Sequence, residues 1–476
     1  MSKEYSSYRY VGQKWAAEIP EHWDAKRLKV IFSMRTERNN PVITDNILSL
    51  TAKQGVVPYA KKEGTGGNKP KDDLSKYNIA RENDLLINCM NVVSGAAGVS
   101  RYFGAISPVY YALYPRTKEN VWYYHHIFRL LPFQRSLIGL GKGILMHESD
   151  SGKLNTVRMR ISMDYLGNVL LPVPPRDEQD QIVRFLDWKV SEINKLISIS
   201  RKKIVEYREL RKAVIDQGVF HGFTNTGVIH SGIHWLGDIP QGWKVMPLKR
   251  ICKVNASIVE QIKKTDDNDK VTFLPMENVS ETGLLDCSIK RAVAEVKTGF
   301  SSFAKGDVVV AKITPCFENG KGACLDSLDT EIGFGTTEFI NLRPSQNVLS
   351  KYLYMITMTR PFRKFGESVM TGSAGQKRVP ASFIKNFTLG IPHVDEQERI
   401  LRKIEQQLAQ IDKCIDIEQR KVETLHELKT KLISDVVTGK IDVRDVVIPD
   451  YEYVDEEVDT TETDDSEENT AEQEDE

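Results

Sequence analysis

Several glycine-containing stretches carry side chains suited to contacts with a polyanion. Lysine and arginine supply cations for phosphate oxygens, while arginine, asparagine and glutamine supply forked donors for base edges. Glycine lets the backbone approach such a ligand closely. The candidates in the first half are Lys61, Lys62, Asn68, Lys69, Asn88, Asn91, Lys142, Lys153, Asn155, Arg158 and Arg160. Those in the second half are Lys312, Thr314, Lys321, Ser373, Gln376, Lys377 and Arg378. Each residue taken singly has a solvated loop position as its alternative; the group as a whole favours contact with DNA.

The distribution of charge agrees with this chemistry. Residues 450–476 contain 15 Asp and Glu and no Lys or Arg, so residues 1–449 hold 65 basic and 51 acidic side chains, a net charge of +14. A basic excess of this size fits a polyanion partner, although a solvated basic surface is the alternative. The acidic C-terminal stretch is too poor in apolar groups to fold, and we expect a solubilising tail or a competitor of DNA for the basic body.

The elements that must position these side chains are duplicated. The stretch "WAAEIPEHWDAKRLKVIF" (15–32) returns as "WLGDIPQGWKVMPLKRIC" (235–252), and "RDEQDQIVRF" (176–185) returns as "VDEQERILRK" (394–403). Offsets of 220 and 218 indicate a tandem duplication. Between these anchors the halves differ, but strand-like "DLLIN" (84–88) corresponds to "DVVVAKI" (307–313), and "LLPFQR" (130–135) to "TRPFRK" (359–364). The tryptophans of the lead-ins are most simply core anchors.

A long helix is predicted after each Asp-Glu-Gln. Acidic residues in a first turn suit the positive end of the helix dipole, and a preceding proline is a start signal. An apolar stripe at spacings of three and four follows, at Ile193, Ile197 and Ile204 and again at Ile400, Ile404 and Leu408. This pattern is typical of a coiled-coil seam, and the nearest partner for each helix is the other copy. The basic residues off the stripe are more simply a solvated face.

The predicted fold class is α+β. We expect two tandem α/β domains separated by two long antiparallel coiled-coil helices, with pseudo-two-fold symmetry. The predicted segments are domain 1 (1–175), helix 1 (176–222), domain 2 (223–393), helix 2 (394–440) and an acidic disordered tail (441–476). Because duplex DNA also has two-fold backbone symmetry, each domain would meet one half-site, and their divergence predicts a bipartite asymmetric target.

Motifs for chemistry are missing from the sequence. It contains no GxxxxGK[ST] phosphate loop and no Asn/Asp-Pro-Pro-aromatic tetrapeptide for a flipped base. "GLGKG" (139–143) is better interpreted as a loop than as a nucleotide site. His230 and His234 are spaced for a metal but lie in a linker without a further ligand nearby. A self-contained nuclease or methylase is therefore disfavoured.

The repeated Trp-x-x-x-Ile-Pro-x-x-Trp and the repeated Asp-Glu-Gln helix entry resemble the specificity subunits of type I restriction–modification enzymes, over about residues 1–440. The resemblance implies target recognition domains, spacer helices that act as a ruler, and a role in phage defence. It implies double-stranded DNA as a partner, two docked methyltransferase subunits, and two restriction/translocase subunits. It also implies a non-catalytic chain without a cofactor of its own, with S-adenosylmethionine, ATP and Mg on the partner subunits. The acidic tail is outside this pattern.

The Asp-Glu-Gln motifs have two interpretations. Their residues cap the helices or contact the lead-ins, or they dock partner subunits. They are Asp177, Glu178, Gln179, Asp395, Glu396 and Gln397.

Two further features bear on location and on the alternative function. Six scattered cysteines without a CxxC pair indicate reduced thiols, and no apolar run could span a bilayer, so we expect a cytoplasmic protein.

A tandem-domain protein–protein scaffold with a coiled-coil spacer is the alternative class. A steep salt dependence of DNA binding would separate a DNA-recognition subunit from such a scaffold.

Overall fold

The structure is a computed structural model that describes residues 3–51, 55–62, 70, 72–143, 146–148, 154–156, 159–224, 227–373 and 375–455. The chain divides into unit 1, Met1–Arg201 with Arg420–Glu476, and unit 2, Lys202–Gln419. Each predicted long helix contributes a part to both units. No helix in the described part of the chain is long and apolar enough to cross a membrane.

Unit 1 is built from short strands and short helices ahead of the first long helix. Its strands are β1 Tyr8–Tyr10, β2 Glu18–Pro20, β3 Asp24–Arg27, β4 Phe32–Met34, β5 Leu48–Thr51, β6 Gly55–Pro58, β7 Asn78–Ala80, β8 Leu85–Asn88, β9 Ala97–Val99, β10 Gly104–Ile106, β11 Tyr110–Pro115, β12 Lys142–Gly143, β13 Met146–Glu148, β14 Leu154–Thr156, β15 Met159–Arg160 and β16 Leu170–Val173. Its helices are α1 Leu28–Ile31, α2 Val121–Phe128, α3 Leu131–Ser136, α4 Met163–Leu166 and the start of α5 Arg176–His221.

Unit 2 repeats this plan with a different middle. Its strands are β17 Val228–His230, β18 Asp238–Pro240, β19 Lys244–Pro247, β20 Cys252–Val254, β21 Lys270–Leu274, β22 Lys290–Ala292, β23 Ser301–Ala304, β24 Val308–Ala311, β25 Gly322–Cys324, β26 Ile332–Gly335, β27 Phe339–Pro344 and β28 Thr388–Ile391. Its helices are α6 Val259–Ile262, α7 Val293–Val296, α8 Ser350–Met358, α9 Arg360–Ser368, α10 Ala381–Asn386 and the start of α11 Val394–Val437.

Both units contain the same antiparallel four-stranded sheet. Its order is β4-β11-β8-β9 in unit 1 and β20-β27-β24-β25 in unit 2. The central strands β8 and β24 are buried at every residue, which explains why they are apolar except for Asn88 at the end of β8. The strand register shows which residues of the two sheets correspond. Leu113 of β11 pairs with Leu85 of β8, and Leu342 of β27 pairs with Val308 of β24.

A buried ion pair holds the same corner of both sheets but takes its arginine from different strands. Asp84, just before β8, binds the Arg35 guanidinium through two contacts of 2.7 and 2.8 Å. Asp307, just before β24, binds Arg343 in the same way at 2.7 and 2.8 Å. Arg35 follows β4, whereas Arg343 lies in β27 at the position that Tyr114 occupies in β11. In unit 1 the Arg35 guanidinium lies 4.9 Å from the centroid of the Tyr114 ring. The two units therefore keep the aspartate at the same position but take the arginine from different positions.

The middle parts have diverged most. In unit 2 this part of the chain forms a four-stranded sheet of order β22-β21-β26-β23, in which β21 and β26 are parallel, with a small core that includes Phe273, Val293 and Phe334. In the described residues of unit 1, it forms the two-stranded pairs β5-β6 and β10-β7, and a single parallel bridge between Ile47 and Ala105 joins the two pairs in the corresponding order.

The long helices pack against each other antiparallel in each unit, as predicted. In unit 2, Lys203 pairs with Glu418 at 3.1 Å and Arg211 pairs with Asp412 at 3.0 Å, so α11 runs backward as α5 advances. In unit 1, Ile193 and Ile197 form a buried cluster with Leu425. Contrary to the expectation of a solvated basic face, Lys429 is buried and donates to the Asn194 side chain at 3.4 Å.

The tail begins later than predicted, because residues 443–455 pack along α5 in unit 1 and form a C-terminal strap. Gln181 donates to the carbonyls of Val443 and Val446 at 3.0 and 2.7 Å. Ser191 both donates to Glu452 and accepts from the Val454 amide. Residues 456–476 lie outside the described residues.

Candidate nucleic-acid interface

The structure brings together the predicted polar residues of unit 2. The segments 312–321 and 371–379, here called the unit 2 loop pair, meet through backbone hydrogen bonds. The Thr314 amide donates to Lys377 at 3.0 Å, and the Val379 amide donates to Lys312 at 2.8 Å. The segment 312–321 leaves the buried end of β24, so the sheet fixes one side of the pair.

Of the predicted residues in this loop pair, Ser373, Gln376 and Lys377 are exposed. Two other predicted residues are engaged internally: the Thr314 hydroxyl donates to the Lys377 carbonyl at 3.2 Å, and Lys321 donates to the Met276 carbonyl at 3.2 Å. Among the predicted residues of this loop pair, Ser373, Gln376 and Lys377 are therefore the most accessible.

Glu338 is a member of this site that the sequence analysis missed. Arg378 donates to both of its carboxylate oxygens, with contacts of 2.8 to 3.2 Å. Because of Arg378, the pKa of Glu338 lies below its ordinary value. The carboxylate precedes β27 and is 40 residues from Arg378, so no local pattern indicated it. A guanidinium held in this way is oriented, and the carboxylate beside it is an acceptor suited to an exocyclic amine such as cytosine N4.

Unit 1 has the equivalent arrangement, which we call the unit 1 loop pair: the segment 88–96 after β8 and the segment 141–160. The Ile161 amide donates to the Cys89 carbonyl at 3.0 Å. Strand β14, which contains Asn155, lies against the turn Val92–Ser94. Lys142 pairs with Arg160 across the backbone of β12 and β15. Arg160 is exposed and close to the Cys89 thiol, whose pKa burial raises.

The other predicted residues of unit 1 fall into three groups. Asn88 is buried and accepts from the Met90 amide at 3.0 Å, so its side chain shapes the loop. Asn91 is half-buried in the turn that follows, and Lys61 and Lys62 end the short helical turn after β6. Asn68, Lys69, Lys153 and Arg158 lie outside the described residues.

The glutamines of the Asp-Glu-Gln motifs are buried clamps. The Gln179 side chain accepts from the Asn120 amide at 2.8 Å and donates to the Pro174 carbonyl at 2.9 Å. Gln397 accepts from the Leu349 amide at 2.9 Å and donates to the Pro392 carbonyl at 3.0 Å. Each clamp ties a long-helix start to the start of a helix, α2 or α8, in the adjoining domain.

The glutamates of the motifs also face inward, to different degrees. Glu178 is buried and accepts from Tyr5, from His22 at 2.8 Å and from the Trp23 indole at 3.0 Å. Glu396 is half-buried near Thr224. Glu178, Gln179 and Gln397 are buried and bind partners within the chain, so they are not available to another subunit. Of the six motif residues, Asp177 and Asp395 are the exposed ones.

The lead-in tryptophans and the histidine pair are also located. Trp15, Trp23 and Trp243 are buried, which confirms that they are core anchors, and Trp235 packs beside Phe365. His230 lies 3.1 Å from Asp238. Among the described residues no group of three or more His, Cys, Asp or Glu could hold a metal ion.

A duplicated frame that carries two different polar loop pairs defines a tandem-domain protein. A family model described as the type I restriction modification DNA specificity domain matches residues 20–207 and again residues 240–427. The chain belongs to this family.

Relatives carry the same description. Over 198 residues, 40% of this chain, it is 40% identical to the type I restriction enzyme EcoAI specificity subunit and 38% identical to the EcoEI specificity subunit, both of Escherichia coli. The alignments span only 33% and 32% of those relatives. The type I restriction enzyme MjaVIII specificity subunit of Methanocaldococcus jannaschii is 21% identical over 90% of this chain and 95% of its own.

Two solved structures share the fold. One, described as the structural basis underlying complex assembly and conformational transition of the type I R-M system, has a TM-score of 0.62 at 12% identity over 89% of this chain and 99% of that chain. The other, the HsdS subunit from Thermoanaerobacter tengcongensis, has a TM-score of 0.50 at 13% identity over 89% and 98%. These structures support the predicted fold, and the family model confirms the predicted family.

Proposed function

We propose that this chain is the DNA-recognition subunit of a type I restriction–modification complex. In this role each loop pair reads one half of a bipartite asymmetric site, and α5 and α11 set the spacer between the halves. The observation that carries the proposal is that two loops meet at the same edge of the same sheet in both units, with different side chains. A shared frame with different contents is what two unlike half-sites require.

The partners follow from the same proposal. Two methyltransferase subunits dock on the helices, and two restriction/translocase subunits complete the assembly. S-adenosylmethionine, ATP and Mg bind to those subunits, so this chain selects the site without catalysing a step. Asp177 and Asp395 are the motif residues left for docking. The chain works in the cytoplasm, where its DNA target lies.

The test replaces two exposed donors of the unit 2 loop pair, as Gln376→Ala with Lys377→Ala. In complex with the methyltransferase, methylation of DNA libraries varied in each half-site is measured. Loss of a base contact costs about 1–3 kcal/mol, which is roughly 5- to 150-fold, so discrimination in the second half-site should fall by that factor. Discrimination in the first half-site should be unchanged.

The matched control is Lys263→Ala, an exposed lysine of the same unit outside the loop pair. Unchanged discrimination in the double variant would contradict the assignment of the loop pair. Binding that hardly depends on salt would instead favour the scaffold, because phosphate contacts release counterions and make log affinity fall steeply with log salt.

A further inference from the structure

Arg363 is a buried guanidinium behind the unit 2 loop pair. It lies in α9, is 8% exposed, and donates to the Phe317 carbonyl at 2.8 Å and to the Gly320 carbonyl at 3.3 Å. Its guanidinium carbon is 4.8 Å from the centroid of the Phe317 ring. One fork of donors thus holds two points of the segment 312–321.

Among the described residues, no carboxylate pairs with this cation, although a buried charge is usually paired. Its hydrogen bonds in the described structure go to carbonyls and to the Met358 sulfur, and Glu318 acts on it only at longer range. Burial lowers the pKa of Arg363 to about 10, so the group stays charged at neutral pH. Desolvating a charge is costly, and an apolar side chain would fill the space without that cost. Compared with an apolar side chain, the arginine adds the hydrogen bonds to the segment 312–321.

The other unit places a polar side chain at the matching position. Gln134 of "PFQ" corresponds to Arg363 of "PFR", and it is also 8% exposed. It donates to the Phe128 carbonyl at 3.0 Å, and its amide nitrogen lies 2.9 Å from where a Cβ on Gly95 would be. Gly95 ends the turn after β8, so Gln134 also abuts the loop that leaves the central strand. Both units therefore have a buried polar side chain at this position, but Gln134 and Arg363 donate hydrogen bonds to different parts of their units.

We infer that Arg363 is a positioning residue that fixes the segment 312–321 in the conformation that reads the second half-site. This rests on the proposed function. Without the fork, the segment keeps its backbone hydrogen bonds to 371–379 and the packing of the Phe317 ring beside Phe362, but it loses its hydrogen bonds to Arg363. It would then sample other conformations, and contacts to the base edges would lose their preorganised geometry. Arg363 itself touches no DNA in this arrangement.

The test compares Arg363→Met, which keeps an unbranched apolar stem but removes all the hydrogen-bond donors, with Arg363→Lys, which keeps the charge but has no fork. Binding of the full chain with its methyltransferase is measured on sites altered in one half at a time. Arg363→Met should lower discrimination in the second half-site about tenfold, which corresponds to one lost base contact. Arg363→Lys should give a smaller loss. Discrimination in the first half-site should be retained.

Two further measurements separate positioning from other roles. The slope of log affinity against log salt should stay that of the parent, because no phosphate contact is removed; a shallower slope would show direct DNA contact and overturn the inference. Gln134→Met is the matched variant and should affect only the first half-site.

Thermal unfolding identifies variants that merely fail to fold, and if Arg363→Met does not fold, Arg363→Lys decides. A folded variant with parental discrimination in the second half-site overturns the inference. A parent chain that discriminates no sites would count against the proposed function instead.

Discussion

At the scale of single residues, the two glutamine clamps explain why the Asp-Glu-Gln phrase is written twice. Gln179 and Gln397 each accept one backbone amide and donate to the carbonyl five residues earlier. A carboxamide has both an acceptor and a donor, whereas a carboxylate accepts only. The motif therefore needs glutamine at its third position for the fold of each half.

Gln397→Glu should destabilise the protein strongly at neutral pH. The carboxylate would face the Pro392 carbonyl in a site with 0% exposure, so we expect a loss of about 2–4 kcal/mol in the free energy of unfolding. Burial would raise the pKa of the new carboxyl in the folded state. Its protonated form can donate, so the deficit should shrink as pH falls toward the ordinary glutamate pKa and grow as pH rises through the raised one.

Urea unfolding followed across pH checks this prediction. Glu396→Gln, one residue earlier and half-exposed, is the control and should change stability little. A pH-independent loss for Gln397→Glu would show that packing rather than protonation governs the site.

The residue types in the sequence were enough to predict the loop pairs, but not the side chains that hold the loops in place. Cations and amides next to glycine are visible in a sequence, so Gln376 and Lys377 could be named. Glu338 and Arg363 could not, because each acquires its meaning from a partner at least 40 residues away. Asn88 was misleading because an asparagine that shapes a turn and one that reads a base look alike in sequence.

At the scale of elements, the long helices were predictable to within a few residues. A prolyl residue, an acidic first turn and an uninterrupted stripe act together over some 40 positions. The middle strands are mostly three to six residues long and carry little periodic signal. The C-terminal strap was missed because α5 holds it largely through its carbonyls, which every sequence has.

The close approach of α5 and α11 in unit 2 depends on Gly218. A Cβ there would lie 2.6 Å from Ile404 Cδ1, a side chain with 0% exposure. Alanine gains about 1 kcal/mol in helix propensity over glycine, but overpacking costs about 1–3 kcal/mol. Gly218→Ala should therefore lower the free energy of unfolding by about 1 kcal/mol, measured by denaturant titration.

A companion change tests the cause. Ile404→Val removes the crowded methyl, so the double variant should be more stable than the sum of the two single effects. Gly139→Ala, where no atom lies within 4 Å of the added Cβ, should not destabilise. Additivity of Gly218→Ala and Ile404→Val would argue against a steric origin.

At the scale of the whole molecule, charge is divided along the chain. Residues 456–476 carry 12 acidic and no basic side chains, so the remaining 455 residues have a net charge of +11. The strap fixes where this acidic stretch begins, at the side of α5 that carries Ser191 and Asn194.

Deleting residues 456–476 should strengthen non-specific DNA binding several-fold at low salt, because a competing polyanion is removed. The gain should shrink as salt rises and screening shortens the range of these charges. Fluorescence anisotropy with a random duplex measures both. A tail of equal length with Asn and Gln in place of Asp and Glu should behave like the deletion; if it behaves like the parent, charge is not the cause. Cutting before residue 443 would also remove the strap and is a different experiment.

The relocated arginine has a consequence for recombination between the halves. In unit 1 the buried aspartate of the sheet pairs with Arg35, which follows β4. In unit 2 it pairs with Arg343, which lies in the neighbouring strand β27. Asn255 follows β20 at the position where Arg35 follows β4. A crossover that joins β20 with Asn255 to β11 with Tyr114 leaves the buried aspartate without a cation, while the reciprocal product, with Arg35 and Arg343, has two. Viable breakpoints for exchanging recognition modules should therefore keep these two strands together, even though they are about 80 residues apart in the chain.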